Sequence, residues 1–201
     1  MISLNALQQA RFHVAVHGFR YLGRGVRLVQ SAAQLSAIPR DGSHLVQEYL
    51  PGEEYSVDVF SDQHCVVRAA VPRERLKVDS GVAVTARTVR DEELEQLARK
   101  VVERVGLSFV VNVQFRRDRV GIPCLLEVNP RFPGTMPLTV EAGVPMPQLA
   151  LQAALGFEDW PAELPFREVA VVRHWQEVYV DPAELDHGSS KEPASALEDV
   201  A

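Results

Sequence analysis

Two apolar, strand-like runs lie almost back to back in this chain. FVVNVQFRR (109–117) and IPCLLEVN (122–129) are joined through RDRVG. A connection that short suits antiparallel neighbours, because parallel strands need a far longer crossover. Side chains alternate along a strand. Asn112 and Gln114 therefore share one face of the first run, with Val111, Val113 and Phe115 on the other. In the second run Leu125, Glu127 and Asn129 share a face, opposite Leu126 and Val128. Antiparallel pairing sets Gln114 near Glu127 on a common polar face.

Such a face offers one carboxylate and two amide carbonyls, all hard oxygen donors. Mg²⁺ is held by one or two carboxylates together with phosphate oxygens and water. Pro130 breaks the ladder, and Arg131 follows with a planar fork suited to phosphate. ExNxR is a short pattern, and the same alternation also fits the solvated face of a half-buried sheet.

The rest of the chain is rich in strand signals. HLVQEYL, then PG, then EEYSVDVF reads as strand, turn, strand, with Pro51-Gly52 as punctuation. CVVRAAVP predicts a third strand, antiparallel to the second across SDQH, and residues 73–87 read as a loop leading into a short strand. DEELEQLARKVVERVG predicts a helix. Leu94, Leu97, Ala98, Val101, Val102 and Val105 recur at helical spacing. Asp91, Glu92 and Glu93 begin it and Arg104 lies near its end, as the macrodipole favours, with Gly106 as the stop. TMPLTVEAG and PMPQLALQAALG read as two more helices, and VAVVRHWQEVYV as a strand pair or one long strand. Ser31 is placed to cap a short helix, AAQLSAI. The tail from about residue 185 has little apolar content and reads as disordered. The expected fold class is α+β, an antiparallel sheet covered by helices packed on one side.

Charge and composition limit the partners. The net charge is -6 and no basic block stands out, which argues against nucleic acid. No apolar run approaches the ~20 residues that span a bilayer. MISLNALQQARFHVAVHG lacks the basic head and long apolar run of a signal peptide. A cytoplasmic protein is expected, with no membrane partner. Cys65 and Cys124, each in an apolar strand-like run without CxxC spacing, read as buried, reduced thiols. The six histidines make no HxxxH or HExxH spacing, so none reads as a zinc ligand, and His174 reads as structural.

NVQF, then LLEVNPR, then AGVPMPQLALQAALG resemble the carboxy-terminal lobe of the ATP-grasp superfamily, most of all the large chain of carbamoyl-phosphate synthase and related carboxylate–amine ligases. LVQEYLPGEEYSVDV resembles that family's adenine and ribose segment, and the likeness runs from about residue 40 to residue 156. The resemblance implies ATP and Mg²⁺ (or Mn²⁺) as cofactors. It implies Gln114, Glu127 and Asn129 as metal ligands, and Arg131 against the transferred phosphate. Gln47, Glu48, Tyr49 and Leu50 would line the adenine, with the Glu48 carbonyl accepting from the exocyclic amine and the Leu50 N–H donating to a ring nitrogen. Glu54 would accept from the ribose hydroxyls. Asp58, on the face of Glu54, is left as structural. Arg73, Arg75 and Lys77 fall where relatives carry substrate or phosphate contacts, although a solvated basic turn accounts for each at least as well.

GRGVRLVQSAAQL resembles the end of a first ATP-grasp lobe, with Gly23-Arg24-Gly25 as the remnant of a glycine-rich loop and Gly25 near a phosphate. The lysine such a lobe carries is not seen, since the chain has only Lys77, Lys100 and Lys191. The expected division is a first-lobe remnant over 1–40, the carboxy-terminal lobe over 41–183 and a disordered tail over 184–201. The activity implied is activation of a carboxylate as an acylphosphate for attack by an amine or ammonia. The alternatives are a non-catalytic nucleotide-binding module or one half of a split or truncated enzyme. Implied partners are small-molecule carboxylate and amine substrates, and either a missing amino-terminal lobe or a second copy of the chain.

Overall fold

The computed structural model describes residues 14–18, 27–41, 44–79, 81–174 and 176–182, and among these described residues nine strands form two antiparallel sheets. The smaller sheet contains β1 (Val14–Gly18), β2 (Arg27–Val29) and β3 (His44–Glu48) in the order β2-β1-β3. Between β2 and β3 lies α1 (Ala32–Ser36), and the Ser31 hydroxyl accepts from the Gln34 N–H at 3.2 Å, as expected of its cap. HLVQE thus pairs with β1 and not with the strand that follows Pro51-Gly52. Gly23-Arg24-Gly25 and the tail beyond Pro182's neighbours at 183–201 lie outside the described residues.

The larger sheet is built from β4 (Glu54–Ser61), β5 (Val67–Asp79), β6 (Val82–Thr88), β7 (Phe109–Arg117), β8 (Pro123–Asn129) and β9 (Ala170–Val172). Their order is β8-β7-β4-β5-β6-β9. Residues 73–87, expected as a loop leading into a short strand, do contain that strand as most of β6, but the expected loop before it is the outer half of β5, joined to β6 by a tight turn at Gly81 with φ +84°. Charge and polarity concealed the outer half of β5 because much of this hairpin is exposed and needs no apolar side chains on its outer face. Among the described residues of the late run, only Ala170–Val172 is strand.

Alternation along the central strands divides the core. Val57, Val59, Ala70, Val111, Val113 and Phe115 meet α2 (Glu92–Val105) through its buried Leu94, Ala98 and Val102. The helix starts where Asp91 accepts from the Leu94 N–H at 3.1 Å and stops at Gly106, whose φ of 74° suits glycine. Phe60, Ala69, Val71 and Val110 point to the opposite face, where they meet Ala142, Val144, Met146, Leu149 and Ala153 from α3 (Met136–Glu141), α4 (Met146–Ala154) and the turn between them. Helices therefore cover both faces, not one. α3 and α4 cover only part of theirs, and the uncovered part is polar.

Candidate functional site

Strand alternation builds this polar area in two rungs. Asp58 of β4 opposes Asn112 of β7, which opposes Asn129 of β8. One step along, Ser56 opposes Gln114, which opposes Glu127. Arg73 of β5 opposes Ser56 from the other side.

Asp58 and Asn112 of the first rung are buried, together with Arg73. Asp58 has 0% exposure and Arg73 only 2%. Arg73 donates through Nε to Asp58 Oδ2 at 2.9 Å and through Nη2 to Oδ1 at 2.6 Å. Asn112 Nδ2 donates to Oδ1 at 2.8 Å, and Thr139 Oγ1 of α3 donates to Oδ2 at 2.5 Å. A buried carboxylate needs such compensation for its lost hydration. Arg73 is therefore no solvated turn residue. It is the counter-ion of a buried acid, and its charge is spent on Asp58.

Glu127 is exposed, and Gln114 and Asn129 beside it are half-buried. Glu127 Oε1 accepts from Gln114 Nε2 at 2.6 Å and from Asn129 Nδ2 at 2.8 Å. Gln114 Nε2 also reaches Asn112 Oδ1 at 3.4 Å, which joins the rungs. Gln114 Oε1 accepts from Arg75 Nη1 at 3.1 Å. Arg75 is also ion-paired with Glu54 and donates to the Gly81 carbonyl at 2.8 Å. Like Arg73, it is held in a sheet, not in a solvated turn. Lys77 is exposed on β5.

A β-bulge adjusts the phase of β8. Pairing runs Gln114↔Glu127 and then Phe115↔Leu125, which leaves Leu126 as the extra residue. Leu125 therefore pairs with Phe115 on the α2 side and does not share the face of Glu127 and Asn129, contrary to simple alternation. Val128 packs with the α2 core, as expected.

Glu54 is set by a close backbone crossing. Gly52 N donates to the Arg117 carbonyl at 3.0 Å, and Arg116 Nε donates to the Gly52 carbonyl at 3.0 Å. A Cβ on Gly52 would lie 2.6 Å from the Arg117 carbonyl oxygen. Arg116 also approaches Glu54 at 3.8 Å.

The segment from Gln47 to Leu50 leaves the small sheet at the end of β3. Leu50 is buried, Gln47 and Tyr49 are half-buried, and Glu48 is exposed. The Cys124 thiol is pushed up by burial first and then by the negative charges of Asp118 and Glu48, which puts Glu48 within electrostatic reach of β8. Cys124 and Cys65 are free but only half-buried, and Cys65 lies in the β4–β5 turn with φ 63°, not in a strand. Arg131 is exposed, and its Nη1 donates to the Phe132 carbonyl at 3.3 Å, while Glu127, Gln114 and Asn129 bond one another. Gly25 lies outside the described residues.

The donor set of Gln114, Glu127 and Asn129 fits a hard divalent cation. It offers a carboxylate and two side-chain amides, each of which presents oxygen once its amide plane turns. Among the described residues no group of three or more His, Cys, Asp or Glu side chains gathers for a metal, so any site here relies on amide oxygens. No described helix is long and apolar enough to cross a membrane.

A family model described as "ATP-grasp in the biosynthetic pathway with Ter operon" matches residues 41–178, more than half of the 201 residues. The chain belongs to the ATP-grasp family. This ATP-grasp chain is 34% identical over 121 residues to the carbamoyl phosphate synthase large chain of Caldanaerobacter subterraneus subsp. tengcongensis, a match covering 56% of this chain and 11% of that one. The corresponding chain of Thermoanaerobacter pseudethanolicus is 33% identical over the same length, with the same coverage. The matched stretch is thus about a tenth of the length of these relatives. Among solved structures, the biotin carboxylase domain of Hydrogenobacter thermophilus 2-oxoglutarate carboxylase, in complex with MgADP, ADP and bicarbonate, gives a TM-score of 0.63 at 18% identity, covering 76% of this chain and 38% of that one. Staphylococcus aureus N5-carboxyaminoimidazole synthetase gives 0.63 at 16% identity, covering 81% and 45%. These likenesses establish the ATP-grasp fold.

Sequence reasoning left Asp58 as structural and gave no role to Asn112 or Thr139. Alternation puts Asp58 on the face of Glu54 and Asn112 on that of Gln114, and this was the available signal. Thr139 carries no comparable signal, because its contact depends on where α3 lands.

Proposed function

We propose that this chain supplies the carboxy-terminal ATP-grasp lobe, over about residues 41–183, of a ligase that uses ATP to activate a carboxylate as an acylphosphate for attack by an amine or ammonia. The observation that carries this reading is the bonded set Gln114, Glu127 and Asn129 on one accessible sheet face, beside Glu54. Family membership and the carbamoyl phosphate synthase relatives support it.

In this reading Glu127, Asn129 and Gln114 hold Mg²⁺. The cation, when bound, neutralises charge on the phosphate oxygens during transfer. Glu54 accepts from the ribose hydroxyls, and Gln47 to Leu50 line the adenine. Arg75, between Glu54 and Gln114, faces the path from ribose to phosphate. Arg131 swings from the Phe132 carbonyl to the transferred phosphate, where a guanidinium makes paired bonds.

Calorimetric titration of ATP with Mg²⁺ tests the reading. Glu127→Ala should weaken binding by roughly tenfold or more, as loss of a charged ligand implies. Equal affinity in the two proteins overturns the metal assignment. A second reading, nucleotide binding without turnover, is favoured by the bond of Arg131 Nη1 to the Phe132 carbonyl, which occupies the guanidinium that would meet the transferred phosphate. ADP release that depends on a particular acid and amine pair would exclude it.

A further inference from the structure

We propose that Asp58 and Asn112 act as positioning residues that turn the Gln114 side-chain oxygen toward Arg75 and away from Glu127, so that metal ligation by Gln114 is conditional on Arg75 letting go. This inference rests on the metal reading of Gln114, Glu127 and Asn129.

The argument concerns the direction of hydrogen bonds. An ionised carboxylate only accepts, and a guanidinium only donates. Asp58 is fully buried and held by Arg73 and Thr139, so it cannot turn away. It therefore demands the NH₂ end of Asn112, at 2.8 Å, and leaves Asn112 Oδ1 pointing outward. That oxygen requires a donor, and Gln114 Nε2 is the group facing it at 3.4 Å. The same Gln114 nitrogen meets the acceptor Glu127 at 2.6 Å. At the far end Gln114 Oε1 meets Arg75 Nη1 at 3.1 Å. A relay of two amides between an obligate acceptor and an obligate donor has one self-consistent polarity. Reversing Gln114 would set its NH₂ against the Arg75 guanidinium and its oxygen against both Asn112 Oδ1 and Glu127.

A cation at Glu127 gains the Gln114 oxygen only if that reversal occurs. The bond to Asn112 opposes it from inside the sheet, and the bond to Arg75 opposes it from outside. Arg75 is the end that can be released, because it is also ion-paired with Glu54 and an anionic ligand competes for its charge. Free metal therefore meets a locked amide, whereas metal arriving with a polyphosphate meets one that Arg75 can release. Entry of the two is coupled through Gln114.

The full chain is titrated with Mn²⁺ alone, with free ion followed by electron paramagnetic resonance. The variants are Asn112→Leu, Asn112→Ser and Glu127→Gln. Asn112→Leu removes one lock, keeps the net charge and leaves Asp58 bonded to Arg73 and Thr139. Its affinity for Mn²⁺ alone should rise by roughly 3- to 10-fold, the worth of one neutral hydrogen bond. A purely structural role for Asn112 predicts no such gain. Asn112→Ser, too short to reach Gln114, should rise likewise and serves if the leucine variant does not fold. Affinity unchanged or lowered in the folded variants, including no measurable binding by variant or wild type, overturns the inference. Glu127→Gln with wild-type Mn²⁺ binding would instead defeat the metal reading itself, and the inference with it.

Discussion

Arg75 and Glu54 are ion-paired between neighbouring strands β5 and β4, so the carboxylate proposed for ribose already has a cationic partner. Ribose hydroxyls must share Glu54 with that guanidinium or displace it. Wild-type protein should prefer ATP over 2′,3′-dideoxy-ATP by about tenfold, the scale of hydrogen bonds to a charged acceptor. Glu54→Ala should bind the two nucleotides alike. Competition calorimetry checks both outcomes.

Removing one member of the buried pair Asp58–Arg73 leaves the other charge uncompensated. Arg73→Met should destabilise the chain by about 3–5 kcal/mol. Arg73→Met combined with Asp58→Leu should recover part of that loss, because the stranded charge is gone while the bonds to Asn112 and Thr139 are still missing. Urea unfolding of the single and double variants measures the difference.

Gly52 has no room for a side chain where it crosses Arg117. Gly52→Ala must push the two backbones apart and should cost about 1–3 kcal/mol, the range of overpacking. Glu54 follows two residues later, so ATP affinity should fall as well. Thermal melts and nucleotide titration on the same sample test this.

Acid stability should depend on Asp62. Burial pushes its carboxyl up, but the Val66 N–H, the Arg68 side chain and the His64 N–H together outweigh burial and leave the group below its usual value of 3.8. A lowered folded-state value means that the unfolded chain takes up the proton first. The stabilisation is complete above the usual value and disappears as pH falls through the depressed one. Asp62→Asn should lower stability at neutral pH and flatten its decline below about pH 4. Denaturant midpoints measured across the acid range would show the change in slope.

The strands that hold the site were readable because period-two alternation survives in short segments. Val57, Val59, Val111 and Val113 marked the core face, which put Gln114 on the other one. Helix α2 was readable from its apolar spacing and its caps at Asp91 and Gly106. The outer half of β5 was not, because Arg73, Glu74, Arg75 and Lys77 look like solvent-facing turn chemistry. Only the cross-strand partners Asp58, Glu54 and Gln114 show why two of those arginines belong in a sheet. The misplaced Leu125 has a similar origin, since a bulge changes strand phase without any signature in residue type.

That bulge at Leu126 also separates the hairpin tip from the acid. Phase at the tip is dictated by the Asp118–Gly121 turn, where Asp118 caps Val120 and Ile122, whereas phase at Glu127 is dictated by Gln114. The unpaired residue takes up the slack between the two. Loop grafts, affinity handles or fluorescent labels inserted near Val120 can therefore be tolerated without shifting the far end of the strand, which makes this tip a practical place to attach reporters.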